Sequence, residues 1–343
     1  MASTSLSGFD GYESKTFTFK TSDGIDIKLD VLSPLVRHSS PTPIVVHYHG
    51  GFLVVGDRYS IPPYWLIQAC VARKWIFVSP DYRLLPECTA HESVDDALDA
   101  YNWVADYLGT CLGIPLGPIV LAGSSAGAYL ALTTAALAKR PPCAVVSLYG
   151  LLDLSNERYT TKGEGILGIP PMETAPILER FPHANEKGTI PLSGYPWPED
   201  MKQDARFVFI LTLHLEALVP DFATGIAGLS QEIAANGRDA IPESAQRLFV
   251  DAFDYTRGLP PVFLLHGKND TGVPFILSES AAEKLKKAGT QVTTEFPVDA
   301  QHGFDVALGR IDIESVSSGD SNSPAVDSLK RAIEFLDKEV SRQ

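Results

Sequence analysis

A hydroxyl attacks an acyl carbon only when another group takes its proton, and separated residues of this 343-residue chain could supply such a set. Ser125 lies in Gly123-Ser124-Ser125-Ala126-Gly127, directly after the apolar run Pro118–Ala122 and before Ala128-Tyr129-Leu130-Ala131-Leu132, a good helix former. Gly-x-Ser-x-Gly at a strand-to-helix junction makes a turn too tight for neighbouring side chains and thrusts the serine out at the carboxyl edge of a sheet. Ser124 is then left with packing or a local hydrogen bond. Among eight histidines, His302 stands in Asp299-Ala300-Gln301-His302-Gly303-Phe304, after the alternating strand Val292–Pro297 and ahead of the terminal helix. From there a base can fold back onto the serine. His266 at a strand end, His214 in an apolar run and His91 at a helix start are read as structural hydrogen-bonding groups.

The base in turn needs a carboxylate to fix its tautomer and stabilise its imidazolium. Asp270 follows the strand Pro261–His266 immediately, which puts it at the same edge as Ser125. Asp299 and Asp305 flank His302 as alternative acids, but their loop position predicts solvated surface charge. Charge developing on a substrate oxygen requires donors, and His47-Tyr48-His49-Gly50-Gly51-Phe52 follows the strand Ile44–His47. Glycines let backbone N–H groups approach a reacting oxygen without Cβ interference. Gly50 and Gly51, with the N–H of Ala126, are the expected oxyanion donors.

The elements that must position these groups are legible in the hydropathy pattern. Lys15–Lys20 and Ile25–Val31 alternate around Ser22-Asp23-Gly24, which predicts an antiparallel hairpin at a sheet edge. Continuous apolar runs at Ile44–His47, Trp75–Ser79, Pro118–Ala122, Ala144–Leu148 and Pro261–His266 suit strands covered on both faces. Helical spacing fills the gaps between Glu92 and Leu108, and again from a Ser323 N-cap and Pro324 through Val326, Leu329, Ile333, Leu336 and Val340. A hairpin followed by alternating βα units is an α/β fold with a mainly parallel sheet. From Leu151 to Gly258 the alternation stops and helical pieces such as Pro198–Asp204 and Leu229–Asn236 appear. Connections usually run about two to six residues, so this stretch must carry structure of its own. It reads as a cap inserted between core segments 1–150 and 259–343, to which the N-terminal residues could add. Its Tyr195, Trp197, Phe207 and Phe209 would close over an apolar pocket or form a small satellite core.

Composition narrows the function class. Hydrophobic residues make up 45% and charged residues 20%, which fits a sizeable buried core. Lys and Arg number 28 against 42 Asp and Glu, a net charge of −14, so the basic footprint of nucleic-acid binding is absent. Four sparse cysteines without a CxxC pair suit a reducing compartment. The start of the chain has no basic, then apolar, leader pattern, and the longest apolar stretch, Phe207–Val219, falls short of the roughly 20 residues a span needs. A cytoplasmic protein is expected.

On His49-Gly50-Gly51-Phe52, Asp81-Tyr82-Arg83-Leu84-Leu85-Pro86-Glu87, Gly123-Ser124-Ser125-Ala126-Gly127 and the Asp270 and His302 loops, the chain resembles the hormone-sensitive-lipase-like carboxylesterases of the α/β-hydrolase superfamily. The order Ser125, Asp270, His302 is the order of that superfamily. The resemblance implies an α/β-hydrolase fold, with a mainly parallel eight-stranded sheet flanked by helices and a mostly helical cap. It makes His49, Asp81 and Arg83 supporting residues around a buried loop behind the oxyanion turn. Phe52 departs from the pattern, standing where a third glycine is usual. The implied activity is ester hydrolysis through an acyl-enzyme, without metal or organic cofactor, on a small-molecule ester or acyl substrate; a homodimer is compatible. The same scaffold also supports dedicated lactonases, thioester-releasing hydrolases, dehydratases or cyclases of specialised metabolism. A non-catalytic small-molecule receptor is the third reading, although such receptors can lose the histidine that His302 supplies here.

Overall fold

The structure, a computed structural model, describes residues 6, 8–36, 39–163, 166–167, 169–182, 190–250, 258–316 and 324–343. Asp23 and Gly24 both have positive φ, at 53° and 81°, and fold β1 (Tyr12–Ser22) back on β2 (Ile25–Pro34) as an antiparallel hairpin with Ser22 opposite Ile25. The apolar runs become β3 (Thr42–Tyr48), β4 (Ile76–Pro80), β5 (Leu116–Ser124), β6 (Ala144–Leu148) and β7 (Val262–Leu265), and the alternating run becomes β8 (Val292–Glu295). They form one eight-stranded sheet in the order β1-β2-β4-β3-β5-β6-β7-β8. Only the β1–β2 and β2–β4 pairs are antiparallel. In such a sheet the carboxyl ends of parallel strands converge on one rim, and Gly50, Ser125, Asp270 and His302 follow β3, β5, β7 and β8.

Helices cover both faces. One carries α1 (Tyr64–Arg73) and α11 (Pro324–Val340), whose Trp65, Leu329 and Ile333 are buried with Val45, Val120 and Phe263 of the sheet. The expected Ser323 cap of α11 lies outside the described residues. On the other face lie α2 (Ala90–Trp103), α3 (Gly109–Leu112), α4 (Ala126–Leu137) and α10 (Ile276–Lys287). A capping box opens α2, where Glu92 accepts the N–H of Thr89 (2.8 Å), and the helix runs on into a π-helical turn, Val104–Leu108.

Residues 151–258 supply α5 (Glu157–Thr160), α6 (Ala175–Arg180), α7 (Ala205–Leu215), α8 (Val219–Thr224) and α9 (Leu229–Asn236), with no named strand among the described residues. Phe207 and Phe209 are buried in the same cluster as Val46 and Leu121 of the sheet, and Tyr195 and Trp197 pack against it, so these aromatics belong to the main core and make no satellite. Pro198–Asp204 is a bend and turn rather than the expected helix. There the Asp200 carboxylate takes the N–H of Lys202 (3.0 Å), a local bond that competes with helix, and Asp204 instead caps α7 at the N–H of Phe207 (2.9 Å). Leu6 and Phe9 join the α1–α11 cluster instead of residues 151–258. No helix of the described residues is long and apolar enough to cross a membrane.

Candidate active site

Ser125 joins β5 to α4 with φ 56° and ψ −119°, a quadrant that costs a non-glycine residue strain and persists only where the surroundings enforce it. Here its N–H donates to the Leu148 carbonyl (2.9 Å) and its carbonyl accepts from Ala128 (3.1 Å) and Leu151 (3.2 Å). Close approach of the next helical turn explains Gly127: a Cβ there would stand 2.0 Å from the Tyr48 carbonyl oxygen.

His302, Asp270 and Ser125 meet although 177 residues separate the first from the last. His302 Nε2 lies 3.1 Å from Ser125 Oγ, and Nδ1 lies 2.7 Å from Asp270 Oδ2. A carboxylate only accepts, so Nδ1 carries the proton and Nε2 presents a lone pair to the serine hydroxyl. Asp270 Oδ1 accepts two backbone N–H groups, from Gly272 (2.7 Å) and Val273 (2.8 Å). Its other oxygen has a second imidazole, His266 Nε2, at 3.2 Å. Burial pushes the Asp270 carboxyl up, but the bonds from His266 and His302 outweigh it and hold the group below the usual carboxylate range. His266 Nε2 also faces the Val273 carbonyl (3.0 Å), so Nδ1 accepts the hydroxyl of Ser278 (2.7 Å). Its strand-end position signalled hydrogen bonding; the partner, Asp270, was not readable.

The turn after β3 lies against the serine. A Cβ on Gly50 would be 3.2 Å from Ser125 Cβ. Gly51 has φ 113°, and a Cβ on it would collide with the Val55 carbonyl oxygen at 1.9 Å, so only glycine fits. Among the described residues, no backbone partner holds the N–H groups of Gly50 and Gly51, and Ala126 begins α4, where an N–H has no partner within the helix. His49 stiffens this turn: its ring stacks on Tyr82 with centroids 4.2 Å apart, and its Nδ1–H donates to the Gly50 carbonyl (2.7 Å). Burial drives its pKa down to about 4, so it is neutral.

Asp81 and Arg83 stand away from this trio, in ion pairs of their own. Asp81 accepts the Arg58 N–H (2.7 Å) and bonds the Arg58 guanidinium, with burial raising its pKa to about 6. Arg83 forks onto Asp96 (2.8 and 2.9 Å) and reaches Asp23 (2.6 Å), tying the hairpin turn to α2. Arg58 and Asp96 carried no motif that would have identified them. Nor did Arg206 of α7, which donates to the Val54 carbonyl (3.0 Å) and pairs with Glu87 (2.6 Å), fastening residues 151–258 to the loops behind the turn.

Asp299 is exposed, as its loop position predicts, but Asp305 is not. The Asp305 carboxylate is buried, and it accepts the Tyr149 hydroxyl (2.6 Å) and the Trp65 indole N–H (3.0 Å). Two donors from distant elements offset the cost of burying it, which corrects the expectation of solvated charge. Tyr149 in turn sets its ring edge-on to His302, centroids 4.8 Å apart. Ser124 makes no local bond of the kind expected; its hydroxyl meets His47 Nε2 (3.0 Å), on the neighbouring strand β3. No group of three or more His, Cys, Asp or Glu arranged to hold a metal ion occurs among the described residues.

A family model described as alpha/beta hydrolase fold matches residues 45–179. The chain is 28% identical to a probable carboxylesterase, M8, of Phoma sp., over 81% of this chain and 85% of that one. It is 24% identical to the non-reducing polyketide synthase Preu6 of Preussia isomera over 87% of this chain, which spans only 14% of the synthase. Among solved structures, the Pyrobaculum calidifontis esterase superposes with a TM-score of 0.58 at 23% identity, covering 98% of this chain and 86% of that one.

Proposed function

We propose, from the premise that this chain belongs to the alpha/beta hydrolase superfamily, that it is a serine carboxylesterase working through an acyl-enzyme. The observation that carries this reading is the hydrogen-bonded chain from Ser125 through His302 to Asp270, at 3.1 and 2.7 Å, beside the N–H groups of Gly50, Gly51 and Ala126. Ser125 Oγ attacks the acyl carbon while His302 Nε2 takes its proton. Asp270 stabilises the imidazolium, and the three N–H groups hold the oxygen that becomes negative. His302 then gives its proton to the leaving alkoxide, leaving Ser125 acylated. In the second half, His302 takes a proton from water, whose hydroxide adds to the acyl carbon; collapse releases the acid and returns the proton to Ser125. No step requires a cofactor. Residues 151–258 act as the cap on a core of 1–150 and 259–343, and the similarity to M8 supports an ester as substrate.

The match to a polyketide synthase favours a second reading of the same site, in which the acyl bond belongs to a specialised metabolite, a thioester included. The tetrahedral chemistry is unchanged; only the leaving group differs. Substituting Ser125→Ala is expected to abolish turnover of short-chain p-nitrophenyl esters and labelling by a fluorophosphonate. Equal activity in the two proteins would remove the assignment, and fast release from an acyl thioester beside slow simple esters would select the second reading.

A further inference from the structure

The turn after β3 is strained beyond its glycine. Phe52 and Leu53, directly after Gly51, have φ 61° and 62°, a region that bulky side chains rarely enter and hold only where their surroundings enforce it. Within the turn, the N–H groups of Val54 (2.9 Å) and Val55 (3.0 Å) close on the Gly51 carbonyl. Much of the remaining hold comes from residues 151–258. Arg206, in the first turn of α7, is 5% exposed and forks across the back of the loop: Nε donates to the Val54 carbonyl (3.0 Å) and Nη2 to the Leu85 carbonyl (2.5 Å). Leu85 in turn donates its N–H to the Leu53 carbonyl (2.7 Å). The third arm of the fork, Nη1, pairs with Glu87 (2.6 Å). Eight residues on, about 12 Å along the helix, His214 meets the Phe52 ring edge-to-face, centroids 4.4 Å apart, with the Tyr159 ring of α5 at 6.1 Å. All three rings are buried, so they fix Phe52 by packing. One helix therefore grips the strained turn at two places, by charge-assisted hydrogen bonds at one end and by ring packing at the other.

We propose that Arg206 and Phe52 are positioning residues for the oxyanion donors: anchored on α7, they keep Gly50 and Gly51 in the conformation that presents their N–H groups beside Ser125. Residues 151–258 then complete the catalytic geometry from behind. This inference rests on the esterase reading for its effect on rate, though not for the hold on the turn. An ammonium cannot reproduce the planar fork over three acceptors, so Arg206→Lys keeps the charge opposite Glu87 while loosening the turn. Phe52→Leu keeps an apolar side chain and removes the ring contacts, which gives an independent second variant.

Both variants are assayed with short-chain p-nitrophenyl esters. Each is expected to lower kcat about 10- to 100-fold with KM within about twofold, since a misplacement near 1 Å is enough for such a loss. A short-chain alkyl trifluoromethyl ketone, which the serine attacks to set an oxyanion among the donors, should lose affinity by the same factor, while the matching amide keeps its affinity. Hydrogen exchange at the Val54 and Val55 amides reads the turn without turnover and should quicken in both variants. Faster exchange in the variants with no ester hydrolysed by the intact protein would overturn the esterase reading and keep the hold on the turn. Unchanged kcat and exchange in both variants would overturn the proposal. So would a fall in Tm with ketone and amide weakened alike, which would make the two residues ordinary members of the core.

Discussion

Two neighbouring serines each face an imidazole nitrogen, Ser124 with His47 at 3.0 Å and Ser125 with His302 at 3.1 Å, yet the two pairs have different surroundings. His47 is sealed in the sheet, no carboxylate bonds its ring among the described residues, and burial holds its pKa near 3. It stays neutral at physiological pH and could accept a proton only at great cost. His302 is 21% exposed and rests on Asp270, which offers the negative charge an imidazolium needs. Ser124 has ordinary strand geometry at the end of β5, whereas Ser125 is forced to positive φ. The contrast teaches that distance between serine and histidine does not make a nucleophile; what stabilises the protonated imidazole does.

The comparison breaks most sharply at Asp270. Asp270→Asn keeps the shape but favours the wrong tautomer, and kcat for ester hydrolysis is expected to fall by about 10⁴-fold. If it fell less than tenfold, His302 would need no carboxylate and the distinction from His47 would collapse. The same substitution carries a sign in pH. Because the folded protein holds the Asp270 carboxyl below its unfolded range, its contribution to stability is present above about pH 4 and is lost as pH falls through the folded value. The Tm advantage of the unaltered protein over Asp270→Asn should therefore shrink in strong acid, and thermal scans across pH check it.

A second expected effect is smaller. Gly51→Ala must move the turn away from Val55, and loss of a donor is expected to cost about 10²- to 10³-fold in kcat with KM little changed. Smaller again is the buttress beneath His302. Asp305→Ala strands the hydroxyl of Tyr149 and the N–H of Trp65, for an expected loss of about 1–3 kcal/mol in denaturant unfolding, whereas Asp305→Asn, which still accepts, should lose less.

Ser125, Asp270, His302 and the glycine turn were legible because each lies after a strand that the hydropathy pattern marks, and parallel strands bring their carboxyl ends to one rim. Local sequence carried both the glycine spacing and the strand. Asp305 was not legible, because its burial is decided by Trp65, 240 residues away, and by Tyr149, which follows β6. His266 signalled a hydrogen bond but not that the bond falls on Asp270. Asp81 sits in a recognisable segment, while its partner Arg58 lies in a turn with no pattern. Pro198–Asp204 failed for a local reason, since the Asp200 side chain satisfies backbone groups that a helix would have used.

Fragmentation mass spectrometry after reaction with a fluorophosphonate separates the two serines directly, since a backbone break between these adjacent residues assigns the adduct. The adduct is expected on Ser125, with Ser124 unmodified and Ser124→Ala labelling at the original rate. An adduct on Ser124, or full labelling of the Ser125→Ala protein, would contradict the account.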